Sequence, residues 1–375
     1  MSSTATRDQI RRDCEFRLRL VDGGYTAREV IPPGDELYDP QVRWAEEDGS
    51  VVISDIGGQA EPGWDPEAGH GAIYRLRPDD SLATIVPKGM DGAAAPLRPM
   101  LAPRNFGAYG GHIFFVAQQH PGKGGAHKNH CVYRVGPGES KPVVFGRYPS
   151  SGTIGDGIAG AGMPGAFGRE GSPDDGYFYC QSLMNCTIYR LDTSGGIEPY
   201  LVMGPPLLDR PCMPLFVEYA PDYGPFAPWA GELVVTSRTT SYLDSAPART
   251  DVHLFWLDRN GPRVEPLPES LPRIGPIAPA EFGPFGGQMF TVDEGSTNML
   301  HTDIDKSNAA ALPYDGRILR VAPDGSVHTF ADRIQGGSTT IVFSGSRMVI
   351  GSVRKSYSSG EYHEPDGSIY EITPA

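Results

Sequence analysis

The sequence predicts an all-β fold: a six-bladed β-propeller of four-stranded antiparallel blades, with the ring closed by an N-terminal strand that completes the last blade. Three observations carry that expectation. One β-rich phrase recurs six times along the chain, a second hydrophobic run precedes each copy, and the chain starts with an unmatched strand while its last repeat lacks one.

The recurring phrase is an alternating apolar strand followed by a turn. Its copies are GAIYRLRPDD, HCVYRVGPGE, CTIYRLDTSGG, DVHLFWLDRNG, GRILRVAPDG and GSIYEITPA. Their anchors Tyr74, Tyr133, Tyr189, Phe255, Leu319 and Tyr370 are 59, 56, 66, 64 and 51 positions apart, the length of one four-stranded blade with long loops. After the turn comes another β-prone run, such as SLATIVP, SKPVVFG, GIEPYLV or SVHTFAD. Before each phrase lies an inner pair whose second strand is VVISD ending at Asp55, FFVAQ at Gln118, YFYCQ at Gln181, LVVTS at Ser237, MFTVD at Asp293 or MVIGS at Ser352. Six inner and six outer pairs make six blades over residues 36–375.

The sixth phrase runs into Ala375, so its blade has no outermost strand, and the orphan run from Tyr25 to Ile31 supplies one. Such pairing removes a strand edge that would otherwise be open to aggregation. Residues 1–20 then read as an N-terminal extension. A chain of 375 residues exceeds the usual single domain, but a ring of repeats grows without enlarging one central core. The 48 glycines and 36 prolines occur without a low-complexity run and read as turns.

Charge narrows the partners. With 32 Lys and Arg against 46 Asp and Glu, a net charge of −14 opposes a nucleic-acid backbone. No apolar run is long enough to span a bilayer, and MSSTATRDQIRRDCEFRLRL has no signal-like apolar core, so a soluble cytoplasmic protein without a membrane partner is expected. A small-molecule substrate remains as the partner, and the sequence leaves the oligomeric state unknown. The five cysteines contain no CxxC pair, and Cys180 and Cys186 read as small buried thiols in strand-like runs.

Function is expected in the long connections between second and third strands, because long loops on a rigid scaffold are where binding and catalysis concentrate. Six of the nine histidines fall there. His120, His127 and His301 are candidates for proton transfer. Trp64, Tyr242, Arg354 and Tyr357 are candidates for lining a substrate pocket. His120, His127 and His130 lie seven and three residues apart, which makes zinc, iron or copper an alternative at that loop. A hard-oxygen site is expected from residues near prolines that open inner strands: Asp39, Asn105, Glu218 and Glu281. Four oxygens completed by water suit a divalent cation, calcium foremost. No GxSxG elbow, P-loop or dinucleotide fingerprint is present.

The blade 1 segment LYDPQVRWAEEDGSVVISDIGG, followed by GAIYRLRPDD, resembles the first blade of the senescence-marker protein and gluconolactonase family. Similar phrases occur in strictosidine-synthase-like and paraoxonase-like propellers. The resemblance implies a divalent metal at the mouth of the channel, held by acidic and amide side chains and polarising a lactone or ester carbonyl. It also implies that Asp39 stands near the first-blade acidic ligand, and that Asn105 in PRNFG is like the asparagine of an inner-strand start. The function expected is therefore a metal-dependent small-molecule hydrolase of lactonase or esterase type. Its alternatives on the same scaffold are a lyase, isomerase or oxygenase using the loop histidines, and a non-catalytic binding propeller.

Overall fold

The computed structural model describes residues 17–32, 37–55, 71–88, 93–119, 130–148, 162–182, 186–204, 213–222, 224–238, 252–258, 261–266, 277–280, 283–293, 316–334, 339–353 and 367–375. These residues form strands joined by turns, irregular segments and short 3-10 stretches. In chain order they are β1 (Arg19–Leu20) and β2 (Tyr25–Ile31), then β3 (Pro40–Ala45), β4 (Val51–Asp55), β5 (Ala72–Leu76) and β6 (Leu82–Val86). Next come β7 (Ala93–Leu101), β8 (Ile113–Gln119), β9 (His130–Val135) and β10 (Val143–Arg147), followed by β11 (Gly162–Phe167), β12 (Tyr177–Ser182), β13 (Thr187–Asp192) and β14 (Ile197–Val202). The last three groups are β15 (Met213–Tyr219), β16 (Leu233–Arg238), β17 (Val252–Asp258) and β18 (Gly261–Pro266); β19 (Ile277–Ala280), β20 (Gln288–Asp293), β21 (Gly316–Val321) and β22 (Val327–Ile334); and β23 (Thr340–Ser344), β24 (Arg347–Val353) and β25 (Gly367–Pro374).

β3–β6, β7–β10, β11–β14, β15–β18, β19–β22 and β23–β25 each form one sheet in chain order, with β1 added beside β22 and β2 beside β25. Burial explains why the second strands read as continuous apolar runs. All five residues of β4 are buried, as are all but the first of β12, β20 and β24, so these strands are covered on both faces. The fourth strands β6, β10 and β14 alternate with exposed positions instead, which marks the outer side of each sheet. The hairpin turns reuse one device. Asp48, Asp79, Asp192 and Asp324 each accept the main-chain N–H two residues on, from Ser50, Ser81, Ser194 and Ser326 at 2.8, 3.1, 2.8 and 2.9 Å.

The chain divides into two compact units. The first contains residues 1–64, 76–82 and 273–375. Its apolar core joins Phe285, Phe290, Val292, Ile318, Phe330, Met348, Ile350 and Ile372, with Leu18, Leu20 and Tyr25 packed against it. The expected strand from Tyr25 to Ile31 is present and pairs antiparallel with β25, from Tyr25 opposite Pro374 to Ile31 opposite Ile369. Tyr25 stacks on Phe285 at 5.0 Å between ring centroids and meets Phe330 edge-on at 5.2 Å. The residues just before it do more than the sequence implied. Arg19 and Leu20 pair with Asp332 and Ala331 of β22, adding a fifth strand to that sheet, and Arg19 forms an ion pair with Asp332.

Within the same unit β3 packs on β23 and β24. Val42 donates its main-chain N–H to Thr340 Oγ1 at 2.8 Å, and Arg347 donates to the carbonyl of Gly49 at 2.6 Å. Two glycines let this approach happen. A Cβ on Gly351 would stand 2.3 Å from the carbonyl oxygen of Pro40, and one on Gly367 would stand 2.8 Å from that of Leu37, to which Gly367 donates its N–H at 2.9 Å.

The second unit contains residues 65–75 and 83–272. An aromatic cluster, Phe106, Phe114, Phe167 and Phe178, joins β8, β11 and β12, with Phe167 stacked on Phe178 at 4.4 Å. Tyr179, Ile188, Val217 and Val235 continue the core toward β15 and β16. No helix among the described residues is long and apolar enough to cross a membrane.

Candidate functional site

In every sheet the first strand starts at the end where the second strand finishes, because the two are antiparallel. That end carries buried polar residues in a fold whose strands are otherwise apolar. In the first unit Asp39 directly precedes β3, and Asp55 closes β4; they are 2% and 0% exposed. Asp55 Oδ1 accepts the main-chain N–H groups of Tyr38 and Asp39 at 3.0 and 2.8 Å, so one carboxylate holds the backbone that carries the other. Gln41 and Ser54 face each other across β3 and β4 and are buried too. Gln41 Oε1 and Ser54 Oγ meet no hydrogen-bond partner among the described residues.

At the same end of the β23–β25 sheet, Thr339 Oγ1 and Ser352 Oγ share a hydrogen bond of 2.9 Å. In the β19–β22 sheet, Asp293 ends β20 opposite Arg317 and forms an ion pair with it. Buried carboxylates are held by partners or by cations, since their charge costs several kcal/mol to desolvate. Asp39 and Asp55 in one sheet and Asp293 in another each stand at such a strand end.

The second unit offers a different set at its corresponding strand ends. Tyr148 donates its hydroxyl to the carbonyl of Gln181 at 3.4 Å, and Arg147 donates to Cys131 Sγ at 3.5 Å. Burial pushes the Cys180 thiol up to about 12 and holds the Tyr148 phenol well above its ordinary range. Burial also raises Cys131, against the opposing pull of Arg147. Cys186, just before β13 at φ +48° and only partly buried, is pushed up to about 11. Thiols held in the neutral form are poor nucleophiles, so none of the three is set up for covalent catalysis.

Among the sequence candidates, Asp39 lies where an inner strand begins. Asn105 does not. It sits in the turn between β7 and β8, after the first strand, and donates Nδ2 to Asp175 Oδ1 at 2.5 Å. Asp175 is thereby held below its usual range, first by the Gly171 N–H and then by Asn105. Glu218 is the penultimate residue of β15, opposite Val234 near the start of β16, so it too stands at the far end of its strand. A strand of seven residues spans roughly 20 Å at about 3.3 Å per residue, so these residues occupy the wrong end of their own sheets to act as openings of inner strands. Glu281, Trp64, His120, His127, Tyr242, His301, Arg354 and Tyr357 lie outside the described residues, and His130 is described only as the first residue of β9.

Asp55, Asp293 and Arg317 were not singled out from sequence. A signal for the acids was present in the runs VVISD and MFTVD, which both end on aspartate where the other four end on Gln or Ser. Among the described residues no three His, Cys, Asp or Glu side chains cluster as a metal centre. The side-chain oxygens of Asp39, Asp55 and Gln41, all at this end of β3 and β4, are hard donors of the type that calcium accepts.

Neither a protein-family model nor a curated protein matches the chain. Solved structures do. A glucose dehydrogenase superposes with a TM-score of 0.51 at 12% identity, covering 93% of this chain and 100% of that one. A luciferin-regenerating enzyme gives 0.51 at 8% identity, covering 93% and 95%. A gluconolactonase from Xanthomonas campestris gives 0.48 at 10% identity, covering 97% and 96%. The chain has a propeller fold. At these identities the likeness speaks to the fold, and the chemistry has to be argued from the site.

Proposed function

We propose that the protein is a metal-dependent hydrolase of small molecules, of lactonase or esterase type, working at the end of the sheets where Asp39 and Asp55 lie. The observation that carries this reading is the pair of buried carboxylates at the start of β3, one of which fixes the main chain of the other. Asp39 and the amide oxygen of Gln41 would hold a divalent cation, calcium foremost, and Asp55 would position Asp39. When bound, such a cation supplies Lewis-acid polarisation of a carbonyl and lowers the pKa of a water. His120 or His301 would move the proton, and Trp64, Tyr242, Arg354 and Tyr357 would shape the pocket. Their places in the connections after second strands support that assignment.

The test is metal content and turnover together. Protein purified without an affinity tag should contain calcium, and a chelator should abolish hydrolysis of a lactone panel until calcium is restored. Asp39→Asn should weaken calcium binding and lower kcat while leaving the melting temperature within a few degrees. Iron, copper or zinc in place of calcium would favour the histidine-loop alternative. Undiminished turnover by metal-free protein would overturn the proposal.

A further inference from the structure

We infer that Arg317 is an anion-recognition residue and that the substrate carries a carboxylate. This rests on the proposed hydrolase site, and Arg317 stands at the equivalent end of another sheet. Arg317 is the second residue of β21 and pairs with Asp293, the last residue of β20, so it stands at the same end of its sheet as Asp39 and Asp55 do of theirs. All of these residues belong to the first unit.

The geometry is that of a held guanidinium. Asp293 is buried, its side chain only 6% exposed, while the Arg317 side chain is 41% exposed. One carboxylate oxygen, Asp293 Oδ2, takes both Nε, at 3.2 Å, and NH2 of the guanidinium. Among the described residues no acceptor meets NH1. An ion pair built only for stability gains little from one buried and one half-exposed partner, because desolvating the acid offsets much of the attraction. Fixing the fork from beneath does accomplish something else. It sets the plane of a part-exposed guanidinium that keeps N–H groups beyond those given to Asp293, and a planar fork of this kind can bind a carboxylate through two parallel hydrogen bonds.

At the corresponding ladder positions the pairing of an acid with a cation is not repeated, since β16 ends on Arg238 opposite Val252 and β8 places Gln118 opposite His130. Second and third strands end on Ser182 opposite Thr187, Ser352 opposite Ser368 and Val353 opposite Gly367. In a chain of net charge −14 a small anion meets an unfavourable field overall, so its recognition requires a local positive group.

The experiment uses two matched γ-lactones, one neutral and one bearing a ring carboxylate, together with the ring-opened hydroxy-dicarboxylate as a binding probe. Calorimetry on the full chain should show the dicarboxylate binding to wild type, and Arg317→Gln should weaken it about tenfold to a hundredfold, the value of one charge-assisted contact. Because Arg317→Gln leaves Asp293 buried without its cation, the double variant Asp293→Asn, Arg317→Gln is measured beside it, and Arg317→Lys should recover part of the affinity. Equal binding by wild type and the double variant, or no binding by wild type, would overturn the inference. Turnover answers the other question: the carboxylate lactone should lose the same factor in kcat/KM while the neutral one is unchanged. Intact dicarboxylate binding with no turnover of either lactone would reject the hydrolase and retain the role of Arg317.

Discussion

Replacing Gly351 by alanine tests whether the candidate site depends on how closely β3 is docked. The added methyl would lie 2.3 Å from the Pro40 carbonyl oxygen, 3.1 Å from its carbon and 3.2 Å from the Val42 nitrogen. All three are main-chain atoms, so no side chain can rotate away, and the start of β3 must shift. Overpacking of this kind costs about 1–3 kcal/mol. Loosening the bond from Val42 to Thr340 Oγ1 adds about 1 kcal/mol. A stiffer unfolded chain returns about 0.4–1 kcal/mol. The net loss centres on about 2 kcal/mol, a fall in melting temperature of roughly 2–4 °C by differential scanning calorimetry. Because Asp39 immediately precedes Pro40, hydrolysis should fall more steeply than stability, by up to about a hundredfold for a displacement near 1 Å. Gly23→Ala is the control, since nothing lies within 4 Å of its added methyl, and it should change stability by no more than about 0.5 kcal/mol. A Gly351→Ala protein that melts and turns over like wild type would show that the approach of β3 to β24 is not tight and that the argument from it is wrong.

Deleting residues 1–33 should remove β1 and β2 together, bare the edge of β25 and uncover Phe285 and Phe330, so the product should aggregate or melt far below the full chain; a truncated protein equally stable in light scattering and calorimetry would refute this. Stability should also fall at alkaline pH. Cys180 and Tyr148 are held protonated in the fold, so the unfolded chain loses these protons first, above about pH 8.5 for the thiol and about pH 10 for the phenol, and stability declines as pH rises through that window. Cys180→Ala should flatten the decline between pH 8 and 10, and an unchanged slope would count against it.

The strand content was legible because alternation and turn chemistry are local. Each six-fold phrase carries its own pattern, and the Asp-containing turns close hairpins with donors two residues away. The orphan strand was legible for the same reason, since the shortage at one terminus matched the surplus at the other. The site was less so. Asp39 lies at a strand opening, as expected, because it directly precedes β3, whereas Asn105 and Glu218 follow prolines at positions that a one-dimensional pattern does not distinguish from strand openings. The hydrogen-bond ladder decides which end of a strand a residue occupies, and it places both beside the turn to the second strand.

What the sequence determined by itself is the number and type of repeating elements and the polar residues that end them. The tertiary structure alone decided which of those residues meet. Arg19 joins Asp332 across 313 positions, Val42 joins Thr340 across 298, and the methyl-free surfaces of Gly351 and Gly367 receive the chain at Leu37 and Pro40. None of these contacts has a local signature, because each depends on two distant segments being brought to van der Waals distance by the burial of the strands between them.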